Sequence, residues 1–113
     1  MPTSDLVAKR CVPCEGGIPP LDLAAATRLR QQLHERWKIT HQGERIEAVF
    51  QFSDYWRTTA FVNAVAWIAH TEDHHPEIRF GYRECTIQYW THAVNGLTEN
   101  DFICAAKVDA LLP

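Results

Sequence analysis

Two kinds of apolar periodicity alternate along the chain and divide it into helices and strands. After Asp22, which can cap a helix, apolar residues recur at spacings of three and four and predict a helix that runs to about Arg36. This stripe consists of Leu23, Ala26, Leu29, Leu33 and Trp37. A stronger stripe follows Ser53 and Asp54, which offer capping oxygens, and predicts a second helix. Its members are Trp56, Ala60, Phe61, Ala64, Val65, Ile68 and Ala69.

Apolar residues at every second position predict one hairpin before this second helix and one after it. The first comprises residues 37–40 and 45–52 around Gly43, and the second turns near Glu84. The alternating apolar residues are Ile46, Ala48, Phe50 and Phe52 in the first hairpin, and Ile78, Phe80, Tyr82, Cys85, Ile87 and Tyr89 in the second. In the last strand the same alternation assigns four residues to the opposite face, namely Thr86, Gln88, Trp90 and His92.

A third helix completes the pattern. The run from Thr98 to Asp101 resembles a capping box with an acidic residue at the third helical position, and it predicts a helix to about Leu112. The resulting order, α-β-β-α-β-β-α, predicts an α+β fold in which a four-stranded antiparallel sheet carries three helices on one face. The uncovered sheet face or an edge strand would then be a surface for self-association.

The first 20 residues hold no sustained periodicity and end in a glycine- and proline-rich run. We therefore expect an irregular N-terminal arm over residues 1–20 and a single domain over residues 21–113. Cys11 and Cys14 in the arm have the spacing of a zinc half-site or a redox pair, but the chain has no second pair with that spacing. The remaining cysteines lie within apolar patterns and are expected to be buried thiols: Cys85 and Cys104.

Charge and hydropathy narrow the possible partners. The formal net charge is -3 and no basic stripe is visible, so we expect no nucleic-acid binding. No apolar run approaches the roughly 18 residues that a membrane span requires. The first five residues lack the layout of a signal peptide, so we expect a cytoplasmic protein.

The densest chemistry lies at residues 71–76, where two adjacent histidines stand beside two carboxylates and a proline. Pro76 disfavours helical geometry at His75, so the second helix must end here and leave both imidazoles at a corner. A third histidine, His92, follows the last strand. Imidazoles exchange protons near neutral pH, which favours an acid/base site, although a solvated polar loop has the same composition.

Metal binding and nucleophilic catalysis are less well supported by the pattern. His70 and His74 would share a helical face only if the helix continued almost to Pro76, and the HExxH pattern is absent. Cys85 lies in the middle of a strand, and no serine stands on a nucleophile elbow.

One family combines these features, and the similarity covers nearly the whole chain. The residues that carry the resemblance are Asp73-His74-His75-Pro76, Tyr82, Trp90-Thr91-His92, Gly96-Leu97-Thr98 and Asp101. Together they resemble the pterin-4a-carbinolamine dehydratases. Residues 50–69 are similar to the strand and long helix of that family, and the arm with Cys11 and Cys14 is similar to that of its bacterial members.

The resemblance implies an enzyme that removes water from a 4a-hydroxytetrahydropterin, a pterin small molecule, and yields a quinonoid dihydropterin. This step recycles tetrahydrobiopterin for aromatic amino-acid hydroxylases. The implied catalytic residues are His74, His75 and His92, with His74 and His92 as the proton-transfer pair and His75 assisting binding. The implied substrate-binding residues are Asp73, Pro76, Trp90, Thr91 and Asp101. Because the reaction moves only protons and water, we expect no cofactor and no metal.

One position departs from the family pattern. Many members carry a glutamate four residues before the first histidine, where this chain has His70. An acidic partner for His74 would then be Glu72 or Asp73, or would be absent. For Asp101 the sequence leaves a helix-capping role and a functional role open.

Two other functions also remain open. Relatives of this fold act as dimerisation cofactors of a transcription factor, and others are tied to molybdenum-cofactor metabolism. Because an uncovered sheet face or edge favours self-association, we expect a homo-oligomer, a twofold dimer or a dimer of dimers, which the resemblance also implies.

Overall fold

The described part of the chain, residues 5–13 and 19–112, forms three α-helices and four β-strands in this computed structural model. They are α1 (Leu23–Arg30), β1 (Lys38–Thr40), β2 (Arg45–Gln51), α2 (Tyr55–Glu72), β3 (Glu77–Phe80), β4 (Glu84–Tyr89) and α3 (Glu99–Asp109). The strands form one antiparallel sheet in the order β1-β2-β4-β3. The predicted α+β fold and its element order are therefore confirmed.

The sheet separates an apolar face from a polar one, as the alternation predicted. Paired residues of β2 and β4 bury their side chains on the helix-covered face: Ile46, Ala48, Phe50, Cys85, Ile87 and Tyr89. On the opposite face, Gln88 accepts a hydrogen bond from Arg45 and donates one to Glu47, each over 2.8 Å. The uncovered face thus carries polar side chains that bond to one another.

Helix α3 lies at the centre of the molecule, because residues 100–106 are all buried. Thr98 and Asp101 form the predicted capping box at its start. The helix ends at Asp109, earlier than the predicted end near Leu112, and the chain continues in a short turn. A helix that is buried all round needs cover on every side, and the sheet supplies only one side.

The N-terminal segment supplies part of that cover. The segment expected to be irregular contains one turn of 3-10 helix at Asp5–Ala8, which packs against α3 and buries Leu6. The ammonium of Lys107 donates a 2.8 Å hydrogen bond to the carbonyl of Val7. Residues 5–13 are therefore attached to the domain core by both apolar and polar contacts.

Helix α1 ends at Arg30, so the predicted end near Arg36 is wrong. The carboxylate of Asp109 accepts the backbone N–H of His34 over 3.0 Å and the indole N–H of Trp37 over 2.9 Å. These long-range bonds hold residues 31–36 in turns and bring Trp37 fully into the core. A continued helix would forfeit both bonds, so tertiary contacts outweigh the local pattern.

Helix α2 begins as predicted, because Asp54 Oδ1 accepts the backbone N–H of Arg57 over 2.8 Å. The assignment of Trp56 to the apolar stripe is wrong, since this side chain is 77% exposed. Trp56 precedes the buried Phe61 by five residues and so lies about 140° away around the helix axis. Among the helices of the described residues, α2 included, none is long and apolar enough to cross a membrane.

The last two strands are shorter than the alternation indicated. Strand β3 ends at Phe80 and leaves Tyr82 outside it, while β4 ends at Tyr89. His92 therefore lies beyond the strand, in a 3-10 turn at His92–Val94. The period-two argument does not extend to this residue, so its position depends on the turn.

The free edge of the sheet at β3 is more apolar than the uncovered face. Phe80, Tyr82 and Tyr55 are all exposed there, and the Tyr55 and Tyr82 rings stack with their centroids 6.5 Å apart. Apolar edge strands pair readily with another strand, so this edge is the better candidate for the expected self-association.

We expect light scattering at micromolar concentration to give a multiple of the 13.0 kDa chain mass. Phe80→Glu should shift the distribution toward the monomer, because it puts a charge at the apolar edge. Val49→Glu, at an exposed position of the polar sheet face, is the matched control and should leave the mass unchanged. A monomer across the whole concentration range would contradict the expectation.

Candidate functional site

Helix α2 ends at a sharp corner that carries the two adjacent histidines. Asp73 adopts the left-handed conformation, with φ 53° and ψ 43°, which aspartate tolerates better than most residues. The backbone N–H of His74 then donates to the carbonyl of Ala69 over 3.1 Å. His75 and Pro76 lead directly into β3, so the predicted end of the helix before the proline is confirmed.

The corner opens into a cavity of about 480 Å³. It is lined by His74, His75 and His92, by Glu72, Asp73 and Asn100, by Thr71, Thr91 and Ala93, and by residues 11–13 of the N-terminal segment. This volume falls in the range of small-molecule sites, and the lining combines titratable and backbone groups. All three histidines singled out in the sequence therefore meet around one cavity.

His74 is fixed from behind by a buried carboxylate. Its Nε2 lies 2.6 Å from Oδ1 of Asp101, whose side chain is 0% exposed. The other oxygen, Oδ2, accepts the Thr91 hydroxyl over 2.9 Å and the backbone N–H of Thr98 over 3.0 Å. Because an ionised carboxylate only accepts hydrogen bonds, Nε2 of His74 carries a hydrogen and Nδ1 is the nitrogen with a free lone pair in the neutral ring.

Tyr89 forms the wall against which the His74 ring packs. The two rings are nearly parallel, with 6.1 Å between centroids and 8° between planes. Burial raises the pKa of the Tyr89 phenol well above its ordinary value, so the phenol stays neutral. His74 therefore has an uncharged aromatic neighbour on its face and a single carboxylate at its edge.

His75 and His92 form a second, more exposed pair. Their ring centroids lie 5.2 Å apart, and the Trp90 ring stacks on His92 at 4.4 Å. The guanidinium of Arg45 covers the Trp90 ring at 3.9 Å. This stack connects His92 to the sheet, so Trp90 supports the cavity without lining it.

The N-terminal segment closes another wall of the cavity. Glu72 Oε1 accepts the backbone N–H of Cys11 over 2.8 Å, and Glu72 Oε2 pairs with Arg10 over 3.0 Å. Asn100 makes two bonds with the Val12 backbone, donating to its carbonyl over 2.7 Å and accepting its N–H over 3.1 Å. Two side chains beside the histidines are thus occupied in holding residues 10–12.

The acidic partner of His74 is Asp101, so the expectation of Glu72, Asp73 or no partner is wrong. Glu72 points to the N-terminal segment, and Asp73 caps the helix while lining the cavity. Asp101 closes the capping box, one of the two roles that the sequence left open, and it also holds His74. Proximity along the chain favoured the wrong carboxylates, because α3 reaches His74 only through the fold.

The predicted substrate-binding residues divide into two groups. Asp73 and Thr91 line the cavity, whereas Pro76, Trp90 and Asp101 lie behind or beside the lining residues. The cavity wall also includes Asn100, Val12 and Pro13, which were not among the predicted site residues. Nothing in their local pattern indicates this role, because it depends on the contact between the arm and α3.

The metal hypotheses find little support in the geometry. His70 lies on the exposed surface of α2 beside Trp67, with 5.3 Å between rings, whereas His74 follows the helix end. Cys14, the other member of the predicted half-site, lies outside the described residues. Within residues 5–13 and 19–112, no group of three or more His, Cys, Asp or Glu side chains is arranged to hold a metal ion.

A family model described as Pterin 4 alpha carbinolamine dehydratase matches residues 19–111 of the chain. A protein of Nitrosomonas eutropha named "Putative pterin-4-alpha-carbinolamine dehydratase" is 54% identical over 108 residues, which cover 96% of this chain and 94% of the relative. A protein of Legionella pneumophila with the same name is 48% identical over 110 residues, which cover 97% of each chain.

Two solved structures share the fold. A protein from Brucella melitensis described as a transcriptional coactivator/pterin dehydratase superposes with a TM-score of 0.78 at 29% identity, over 83% of this chain and 99% of that one. A pterin dehydratase-like protein identified as a RuBisCO assembly factor in the alpha-carboxysome gives a TM-score of 0.60 at 29% identity, over 69% and 90% of the two chains.

Proposed function

Because the chain belongs to the pterin-4a-carbinolamine dehydratase family, we propose that it removes water from a 4a-hydroxytetrahydropterin and releases a quinonoid dihydropterin. The observation that carries this proposal is the histidine cluster at the cavity, in which a buried carboxylate fixes one ring. The choice of a pterin as substrate rests on membership of the family. The histidines supply the acid and base groups that dehydration of this substrate needs.

The reaction requires two coordinated proton movements. Nitrogen N5 of the pterin gives up its proton, the C4a–O bond breaks, and a double bond forms between N5 and C4a. The departing hydroxyl takes up a proton and leaves as water, so no electrons are exchanged with another reagent. An acid and a base that both work near neutral pH are sufficient, and imidazoles meet this requirement.

His74 and His92 are the proposed proton-transfer pair. Asp101 holds the Nε2 hydrogen of His74, so Nδ1 of the neutral ring is available to accept a proton. His92 lines the same cavity beside His75 and is supported by Trp90, which suits it to act on the second proton. We assign His75 to substrate binding.

The remaining family positions take supporting roles in this proposal. Asp73 and Thr91 contact the bound pterin from the cavity wall, while Pro76 and Trp90 shape the wall from outside the lining. Asp101 is a positioning residue, since it reaches the cavity only through His74 and Thr91. We further propose a cytoplasmic homo-oligomer that serves an aromatic amino-acid hydroxylase by recycling its tetrahydrobiopterin.

The direct test follows the dehydration of freshly generated 4a-hydroxytetrahydropterin by stopped-flow absorbance, with and without the purified chain. We expect the chain to accelerate the disappearance of the substrate in proportion to its concentration. The alternative to an enzyme is a protein that only binds partners. It is based on two structural neighbours, one described as a transcriptional coactivator/pterin dehydratase and the other as a RuBisCO assembly factor. An unchanged rate at micromolar protein would favour that alternative and contradict the proposed function.

We expect the accelerated rate to survive removal of metal ions. Proton transfer alone completes the reaction, so the histidines do not require a Lewis acid. The measurement compares the rate before and after dialysis against a strong chelator, with a zinc-saturated sample as control. A loss of activity that added zinc restores would contradict histidine-only catalysis.

A further inference from the structure

Two cysteines from distant parts of the chain meet beside the cavity. Sγ of Cys11, in the N-terminal segment, lies 3.5 Å from Sγ of Cys104 in α3. A small approach of the two sulfurs would bring them to bonding distance, since a disulfide bond is about 2 Å long. The contact brings together the N-terminal segment and α3, which are far apart in the sequence.

Specific contacts hold Cys11 in this position. Its backbone N–H donates to Glu72, and the next residue, Val12, makes two hydrogen bonds with Asn100. The Cys11 thiol also lies 3.6 Å from the carbonyl of Asn100. The contact between the sulfurs is therefore supported by bonds to both α2 and α3, the two helices that flank it.

The two thiols differ in their access to solvent. Cys11 is half-buried and lines the cavity, whereas Cys104 is completely buried. The hydrogen bond with Cys11, together with burial, raises the pKa of the Cys104 thiol far above its ordinary value. An oxidant that enters the cavity therefore meets Cys11 first, and Cys104 can react only with a group that is already at Cys11.

We propose that Cys11 and Cys104 are a dithiol modification site, which a hydroperoxide oxidises to a disulfide. The Cys11 thiolate attacks the peroxide, so that an S–O bond forms, the O–O bond breaks, and one water leaves. Sγ of Cys104 then attacks the sulfur of Cys11; the S–S bond forms, the S–O bond breaks, and the departing hydroxide takes the Cys104 proton. Two thiols lose two electrons, and one hydrogen peroxide becomes two waters.

The disulfide bond between Cys11 and Cys104 fixes one wall of the cavity. Residues 11–13 line the cavity, and the contacts that otherwise hold them are hydrogen bonds and the packing of Cys11 against the core. A covalent link to α3 closes a loop that includes most of the chain, which restricts the unfolded state strongly. Oxidation therefore adds a covalent link between the N-terminal segment and α3, and reduction leaves the segment held by its noncovalent contacts.

The test uses the full chain with Cys14→Ser, which removes the neighbouring thiol as a competing partner. The folded protein is treated with hydrogen peroxide, blocked with N-ethylmaleimide and analysed by intact mass and non-reducing peptide mapping. Apart from any N-ethylmaleimide adducts, we expect the mass of the oxidised chain to be about 2 Da below that of the reduced chain. Peptide mapping should give a disulfide-linked pair of peptides that contain Cys11 and Cys104. Cys85 should be recovered unmodified, because it is buried in the sheet and burial raises its pKa to about 11.

A matched variant and a second measurement complete the test. Cys104→Ser in the same background should give no cross-link, while Cys85→Ala should still give it. The thermal midpoint of the cross-linked protein should rise by at least about 5 °C and return on treatment with dithiothreitol. Three outcomes would overturn the proposal. The first is oxidation of Cys11 to a sulfinic acid without a cross-link, and the second is a cross-link that leaves the thermal midpoint unchanged. The third is a disulfide between Cys11 and Cys14 as the only cross-link in the chain without substitutions.

Discussion

Replacement of His74 or His92 by alanine should slow the dehydration of 4a-hydroxytetrahydropterin by about 10²-fold or more, the contribution typical of a positioned acid or base. In the proposed mechanism each imidazole moves one of the two protons, and the methyl group of alanine moves neither. The loss should fall mainly on kcat, because His75 and the other cavity residues still bind the substrate.

Additional variants separate this effect from a loss of structure. His74→Ala also removes a partner of the buried Asp101, so His74→Gln is the sharper change, since its amide can still donate to the carboxylate but cannot exchange a proton. Alanine at His70, which lies on the surface of α2, is the matched control and should keep full activity. Near-normal turnover of the His74→Gln and His92→Ala variants would refute the assignment.

Asp101→Ala should lower the free energy of unfolding by about 3–5 kcal/mol, because three hydrogen-bond donors lose their acceptor at a cost of about 1–3 kcal/mol each. The carboxylate serves three donors at once, namely His74, the Thr91 hydroxyl and the backbone N–H of Thr98. Its loss removes the acceptor of all three donors, of which Thr91 and Thr98 are buried. Urea unfolding followed by far-ultraviolet circular dichroism measures the change.

Asp101→Asn distinguishes capping from orientation of the histidine. The amide oxygen can still accept from Thr98, so stability should fall less than in the alanine variant, but the amide nitrogen then faces His74 as a donor. We expect kcat to fall with little change in KM, because the His74 ring loses its favoured tautomer. Asp22→Asn, at an exposed helix cap, is the control. An Asp101→Ala variant as stable as the control would contradict the role of this carboxylate.

The structural neighbours show that the fold alone does not identify the function. One is described as a coactivator/pterin dehydratase and the other as a RuBisCO assembly factor, so related folds carry different descriptions. In this chain the three histidines surround a cavity, and one of them is oriented by a buried carboxylate. These features favour catalysis because a binding surface alone does not need an oriented imidazole.

Local interactions made much of the molecule predictable. The caps at Asp22, Asp54 and Thr98, the alternation in β2 and β4, and the end of α2 before Pro76 each depend on residues that are neighbours in sequence. Backbone geometry at a cap or before a proline is decided within a few residues, so the sequence determined the element order and the histidine corner.

The tertiary structure decided what depends on contacts between distant segments. Asp109 ended α1 early by binding His34 and Trp37, and α3 brought Asp101 to His74 in place of the nearer carboxylates. The N-terminal segment became a cavity wall through Glu72 and Asn100. Periodicity reports which face of an element is buried, but it contains no information about which other element covers that face. The identity of each partner is therefore set only when the helices pack on the sheet.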